Sequence, residues 1–327
     1  MKVKKIVSLV LAAVLMLGML SLISCSGRAK YVVGICQYDA HPALDAATQG
    51  FKDALVAAFG DEVEFDVQNG TGSTDVCTTA INNFVIKDVD LIMANATPAL
   101  QAARNATKDI PILGTSVTEY GVALGINNFS GTVGGNISGT SDLAPLDKQA
   151  QMILDLVPTA QTVGLLYCSA EPNSLYQVQE VEKYLTEKNI TCTKYSFSGA
   201  DDIAIVAGNA ADNSDAIYVP TDNTVATYAD MLYGAIADKK VPVIAGEEGI
   251  CSSCGIATLS IDYYDLGYKT GEMAVEILKG EADVSTMAIA YTPEEKLKKK
   301  YNKTICDALG IDTAALEAKG FVAIGAK

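Results

Sequence analysis

The chain alternates short apolar runs with longer stretches in which apolar residues recur every three or four positions. Tyr31–Gln37 reads as a strand. The stretch "HPALDAATQGFKDALVAAFG" that follows puts Leu44, Ala47, Phe51, Leu55 and Ala58 on one helical face and stops at Gly60. Val63–Asn69, Val89–Asn95 and Ile110–Thr115 read as further strands, with Ser73–Ile86 and Thr97–Ala106 as helices between them. Strands that are apolar along their whole length, joined by crossover helices, predict a parallel sheet covered on both faces.

The pattern then starts again. "VVGICQYDAHPALDA" has a counterpart in "TVGLLYCSAEPNSLY", so that Gly34 matches Gly164. Asp90 in "VDLIMANATPAL" matches Asp215 in "SDAIYVPTDNTVATY", and Pro111 in "DIPILGTS" matches Pro242 in "KVPVIAGE". Three correspondences in order, each about 130 residues apart, predict two doubly wound lobes of similar topology. A chain of 327 residues is long enough for two cores of about 100–150 residues each. Ligands of open parallel sheets sit beyond the carboxyl ends of the strands. Two such lobes facing each other place both sets of strand ends along one cleft. The glycines of "SGTVGGNISG", Ser130–Gly139, do not form the dinucleotide fingerprint after a strand.

The first 24 residues differ from the rest. Lys2, Lys4 and Lys5 precede an uncharged apolar run from Ile6 to Leu22, the layout of an export signal. It ends in Leu22-Ile23-Ser24-Cys25, which resembles the lipobox of bacterial lipoproteins. That resemblance implies a signal peptide over 1–24, cleavage before Cys25, lipid on its sulfur and a tether over 25–30. The protein is then exported and held by acyl chains on the outer face of the cell membrane. The other seven cysteines show no spaced disulfide framework; Cys251-x-x-Cys254 lacks a second pair for zinc, so no metal site is expected. A net charge of −15 argues against nucleic acid or anionic lipid surfaces as partners. With only Arg28 and Arg104 present, an anion clamp of bidentate arginines is nearly excluded.

Candidate site residues lie where strands end. Thr97-Pro98 reads as an N-cap followed by Pro at the first helical position, a place where a carboxylate rests on free amides. Thr115, Ser116 and Thr118 follow the next strand. In the second half Asp222 opens a helix and is a candidate partner for an ammonium, flanked by Thr221 and Asn223. His41, the sole histidine, and Tyr38 lie at the first strand's exit, with Glu171, Asn173 and Ser174 in the matching loop and Glu247 after "VPVIAG". One histidine and no G-x-S-x-G leave no catalytic motif, so no enzyme and no cofactor is expected. "EEKLKKKY", Glu294–Tyr301, reads as a solvated helix face.

Taken together, "HPALDAATQGF", "NATPALQAA", "GTSDLAPLDKQ", "YVPTDNTV", "GEEG", "IDYYDLGYKTGEMAVEILKG" and "NKTICDALGI" resemble the ABC-transporter substrate-binding proteins of the tryptophan/tyrosine type, from about Tyr31 to Ile311. Departures include Glu119-Tyr120, where many members carry Asp-Pro. The resemblance implies the type I periplasmic-binding-protein fold, two α/β lobes joined by a three-strand hinge. Residues 31–140 and 262–285 are expected in lobe 1, and 141–261 and 286–327 in lobe 2. It adds Asn95, Ser141 and Asp142 to the site through their motifs. It implies a monomer that captures a small amino-acid-like ligand, aromatic in the leading reading, for ABC permease subunits. A nucleoside or sugar is the alternative.

Overall fold

The computed structural model describes residues 29–324; the expected signal segment and Cys25 lie outside them. In chain order the strands are β1 (Tyr31–Gln37), β2 (Val63–Asn69), β3 (Leu91–Asn95), β4 (Ile112–Val117), β5 (Ile137–Ser141), β6 (Thr162–Cys168) and β7 (Thr191–Phe197). They continue as β8 (Ala216–Val219), β9 (Val243–Ala245), β10 (Ala257–Ser260), β11 (Ala290–Tyr291), β12 (Lys298–Asn302) and β13 (Val322–Ile324). One sheet has the order β11-β5-β4-β3-β1-β2 and is parallel throughout. The other has the order β13-β12-β10-β9-β8-β6-β7 and is parallel except where β12 runs against β10. The two α/β halves predicted from the alternation are therefore present, and β2-β1-β3-β4-β5 has the same winding as β7-β6-β8-β9-β10.

The duplication reaches individual bonds. Asp90 Oδ2 accepts from the Val32 amide, and Asp215 Oδ2 from the amides of Gln161 and Thr162, so each acid ties down the start of the central strand beside it. The Pro111 and Pro242 carbonyls accept from Ile92 and Ile217, both at 2.9 Å. Gly34 and Gly164 both lie under a covering group; a Cβ would meet the Phe84 ring at 2.6 Å in one lobe and Ser214 Oγ at 2.7 Å in the other.

The chain passes between the sheets three times: after β5, after β10, and between β11 and β12. β11 pairs with β5 in the first sheet, beyond the boundary at 285/286 that the sequence suggests. Residues 298–301 of the expected helix face form a strand instead, pairing antiparallel with Ala257–Ser260. Ala58, in the last turn of helix Pro42–Phe59, is exposed, and Ala54 is buried on the expected face instead.

Helix Pro42–Phe59 and helix Tyr263–Leu278 cover one face of the first sheet and touch backbone to backbone. A Cβ on Gly267 would stand 1.9 Å from the Ala47 carbonyl oxygen, and one on Gly50 2.1 Å from that of Tyr264. Gly234, inside helix Asn223–Ile236, has nothing within 4 Å of a Cβ. Gly267→Ala is expected to destabilise the protein by at least about 2 kcal/mol in urea denaturation, through forced separation of packed backbones. Gly234→Ala is expected to be neutral or to stabilise by up to about 1 kcal/mol. Equal effects of the two substitutions would contradict this packing.

Candidate functional site

The carboxyl ends of the two sheets' strands face each other, and between them lies a small, tightly closed cavity. The first lobe contributes His41 and Leu44 from the start of helix Pro42–Phe59, and Ser116 and Thr118 from the end of β4. The second lobe contributes Asn173, Thr221, Asp222, Asn223 and Glu247. Asp142, just after β5, and Tyr263, at the start of its helix, close the hinge side.

Local backbone chemistry explains these positions. His41 is the extended residue before a helix that opens with Pro, and its side chain makes no capping bond, so the ring is free to turn into the cleft. β4 runs two residues past its predicted end through a register shift between Gly114 and Val117. Within that shift Ser116 has φ +53, a left-handed conformation that turns its hydroxyl out of the ladder. Asp222 and Glu247 each cap a helix. Asp222 Oδ1 accepts from the Val225 amide at 2.9 Å and Oδ2 from the Cys168 amide at 2.7 Å. Glu247 Oε2 accepts from the Gly249 amide at 2.6 Å and Oε1 from the Ile250 amide.

Few buried side-chain atoms among the described residues lack a hydrogen-bond partner, and four of them belong to this one cavity: His41 Nδ1, Ser116 Oγ, Asp142 Oδ1 and Asn173 Oδ1. Buried polar groups are ordinarily paired, so unpaired ones gathered on facing walls mark a place built for a polar guest. A larger depression lies behind the hinge, lined in part by Lys269, Tyr291 and Lys296, but none of its lining residues carries such an atom.

The lobes are in contact across the cleft. His41 Nε2 lies 3.4 Å from Asn223 Oδ1, and the Thr227 hydroxyl donates to Asp39 Oδ2 at 2.9 Å. With Nε2–H directed at Asn223, Nδ1 keeps a free lone pair. Burial pushes the His41 pKa down, which favours the neutral ring. The wall is acidic and no lysine or arginine lines it. Burial raises the pKa of Asp142, and burial together with the Glu171 charge raises that of Asp222. Burial pushes Glu247 up to about 7, against the two amides that favour its charged form.

Nine of the sixteen residues expected at the site line the cavity: His41, Ser116, Thr118, Asp142, Asn173, Thr221, Asp222, Asn223 and Glu247. The other seven do not line it. Tyr38 packs into the first-lobe core and gives its hydroxyl to the Gly72 carbonyl. Asn95 Nδ2 donates to Leu44 O and Thr48 Oγ1, tying β3 to the covering helix. Thr97 is no cap: the residue before the helix is Ala96, at φ +88 and without a capping side chain. Thr115 Oγ1 pairs with Thr140 Oγ1, and Ser141 Oγ donates to Thr118 O. Glu171 is consumed by the start of helix Asn223–Ile236, accepting from the amides and side chains of Asn223 and Thr224. Ser174 accepts from Asn173 Nδ2. Tyr263 went unrecognised in the sequence because it reads as a helix-face residue. Its hydroxyl donates to Asp142 Oδ2 at 2.9 Å across 121 residues of chain.

The raised pKa of Glu247 has a consequence for stability. An acid whose folded pKa lies above its unfolded value of 4.5 stabilises the fold when protonated, and that contribution is lost as pH rises through about 7. Asp142 and Asp222 act in the same direction. The ligand-free protein is therefore expected to melt at a higher temperature at pH 5 than at pH 8, with Glu247 contributing up to about 3 kcal/mol of the difference. Thermal melts of Glu247→Gln across this range are expected to show a shallower pH slope. An unchanged slope would contradict the assignment.

The family model described as ABC transporter substrate binding protein matches residues 32–315. A curated relative, "Tyrosine-binding protein" of Clostridioides difficile (strain R20291), is 36% identical over 299 residues, 86% of each chain. The crystal structure of an ABC domain in complex with L-Trp from Streptococcus pneumonia has a TM-score of 0.84 and 31% identity, and covers 90% of this chain and 100% of that one. A ligand-free, open substrate-binding protein with adhesive properties from Clostridium difficile gives 0.70 at 35% identity, covering 91% and 100%. The two α/β lobes are those of the type I periplasmic binding proteins. With the family model spanning both lobes and both sides of the cleft, this chain belongs to the ABC transporter substrate-binding proteins.

Proposed function

We infer that the protein is an exported, lipid-anchored receptor that closes its two lobes around an aromatic amino acid and presents it to ABC permease subunits, without chemistry of its own. The observation that carries this reading is the convergence of four unpartnered buried polar atoms on the cavity between the lobes. It is supported by the similarity to a protein named for tyrosine and to one crystallised with L-Trp. The wall suits a zwitterion. The first turn of helix Pro42–Phe59, with Ala43 and Leu44 on the cavity, supplies amides that no helical carbonyl satisfies, and these suit a carboxylate. The acidic second lobe and hinge suit an ammonium.

The guest's ring lies against Leu44, Ala226 and Tyr263 in this reading, Tyr38 being pinned elsewhere. Full burial of an aromatic side chain removes about 150–250 Å² from water, worth about 4–6 kcal/mol. Micromolar affinity takes about 8 kcal/mol, so the polar contacts have to supply the remainder. We place the lobe boundaries at the three passages 142–145, 261–262 and 292–297, which act together as the hinge, and take the protein as a monomer.

The chain contains 15 tyrosines and no tryptophan, so added tryptophan is visible under selective excitation. Saturable blue-shifted emission with raised anisotropy is expected, displaced by tyrosine or phenylalanine. If none of the three binds at millimolar concentration while a nucleoside or sugar does, the amino-acid reading fails. For the anchor, wild-type protein is expected in the membrane fraction with lipid mass on Cys25, and Cys25→Ser is expected to be unprocessed or released. Wild-type protein without lipid on Cys25 would contradict the anchor.

A further inference from the structure

The cavity carries three carboxylates, and they are not equivalent. Asp222 and Glu247 have both oxygens occupied by backbone amides. Asp142 has Oδ2 on the Tyr263 hydroxyl; the Thr118 side chain and its own amide also approach the carboxylate, yet Oδ1 is buried without a well-formed hydrogen bond. Asp142 is 4% exposed, so water does not make up the deficit at the surface. It follows β5 directly, on the first passage between lobes, and Tyr263 opens the helix after the second. The pair ties two hinge crossings together at the wall of the cavity.

The unpartnered atoms also share a chemical sign. Asn173 Oδ1 and, in the ionised carboxylate, Asp142 Oδ1 only accept, and His41 Nδ1 accepts when Nε2 holds the proton toward Asn223. Ser116 Oγ does either. A carboxylate guest offers no donor to these three atoms and finds no cation on the wall. An ammonium offers three donors and no acceptor.

Resting on the function proposed above, we propose that Asp142 Oδ1 is the ammonium acceptor and that the ligand's amine, not its carboxylate, is the obligatory group. The site therefore takes aromatic monoamines that lack the α-carboxylate, as a second ligand class beside the amino acids. Binding pairs a carboxylate that the ligand-free cleft leaves half-satisfied, whereas the ligand carboxylate meets only neutral amides at a helix start.

Calorimetric titration with L-tyrosine, its decarboxylated amine and its deaminated acid tests this. Tyrosine is expected to bind best. The amine is expected to be weaker by about tenfold. The deaminated acid is expected to be weaker by at least about a hundredfold, the scale of a lost charge-assisted hydrogen bond at a buried carboxylate. Asp142→Asn is expected to weaken tyrosine and the amine by about 10- to 100-fold while leaving the deaminated acid unchanged or improved, a pattern that a merely damaged fold does not give. A second variant, Tyr263→Phe, keeps the ring, frees Oδ2, and is expected to preserve the order of the three ligands. Tighter binding of the acid than of the amine, or unchanged tyrosine affinity in Asp142→Asn, overturns this assignment and leaves the proposed function standing. Failure of tyrosine, tryptophan and phenylalanine alike to bind overturns the proposed function and this inference with it.

Discussion

A carboxylate buried without a cation is costly, and the cleft holds three of them. Much of the local architecture follows from meeting that cost. Asp222 and Glu247 are placed where a helix begins, so that amides left over by the helix occupy both oxygens of Glu247 and one of Asp222, whose other oxygen takes the Cys168 amide at the end of β6. Glu171, just behind the wall, is held in the same way by Asn223 and Thr224. Asp142 has no helix start to rest on and is met by the Tyr263 hydroxyl, with the Thr118 side chain and its own amide close by. The acid at the hinge is thus the one whose needs the protein does not meet by itself.

The duplicated α/β winding brings this about. In each lobe the same strand order directs loop residues toward the same end of the sheet, and the facing of the two sheets turns two sets of strand ends into one site. Two polar pairs bridge the mouth, His41 with Asn223 and Asp39 with Thr227, and helix Tyr120–Leu124 approaches helix Pro172–Glu187 beside it. Neither pair buries a large apolar face. Closure that depends on a few polar bonds and on pairing at the hinge is sensitive to whatever occupies the cleft, which is the behaviour required of a receptor that has to release its cargo. The chain superposes more closely on the Trp-bound relative than on the open, ligand-free one, in keeping with lobes that touch.

The lobes were legible because their central strands are buried on both faces and so read as unbroken apolar runs, and because Asp90 and Asp215 repeat one structural bond. Nine of the residues expected from the sequence line the cavity because they sit just past strand ends. What escaped the sequence depends on side-chain direction and on pairs distant along the chain. Tyr38 and His41 share one loop, yet the tyrosine turns into the core toward Gly72 and only the histidine reaches the cleft. Thr97 matches Asp222 in sequence, but its helix starts from Ala96 at positive φ, so the two turns share a position and not a capping chemistry. The lysines at 298–300 lack the signature of a strand because two of them in succession are exposed, which breaks the alternation. Asp142 and Tyr263 meet only once two hinge passages are aligned.

The central claim is that ligand binding and lobe closure are one event. Small-angle X-ray scattering of the protein without and with saturating tyrosine or tryptophan tests it most directly. The account predicts a larger radius of gyration without ligand, falling on saturation to the value calculated from the closed arrangement described here. Saturable binding with no change in the radius of gyration would contradict it.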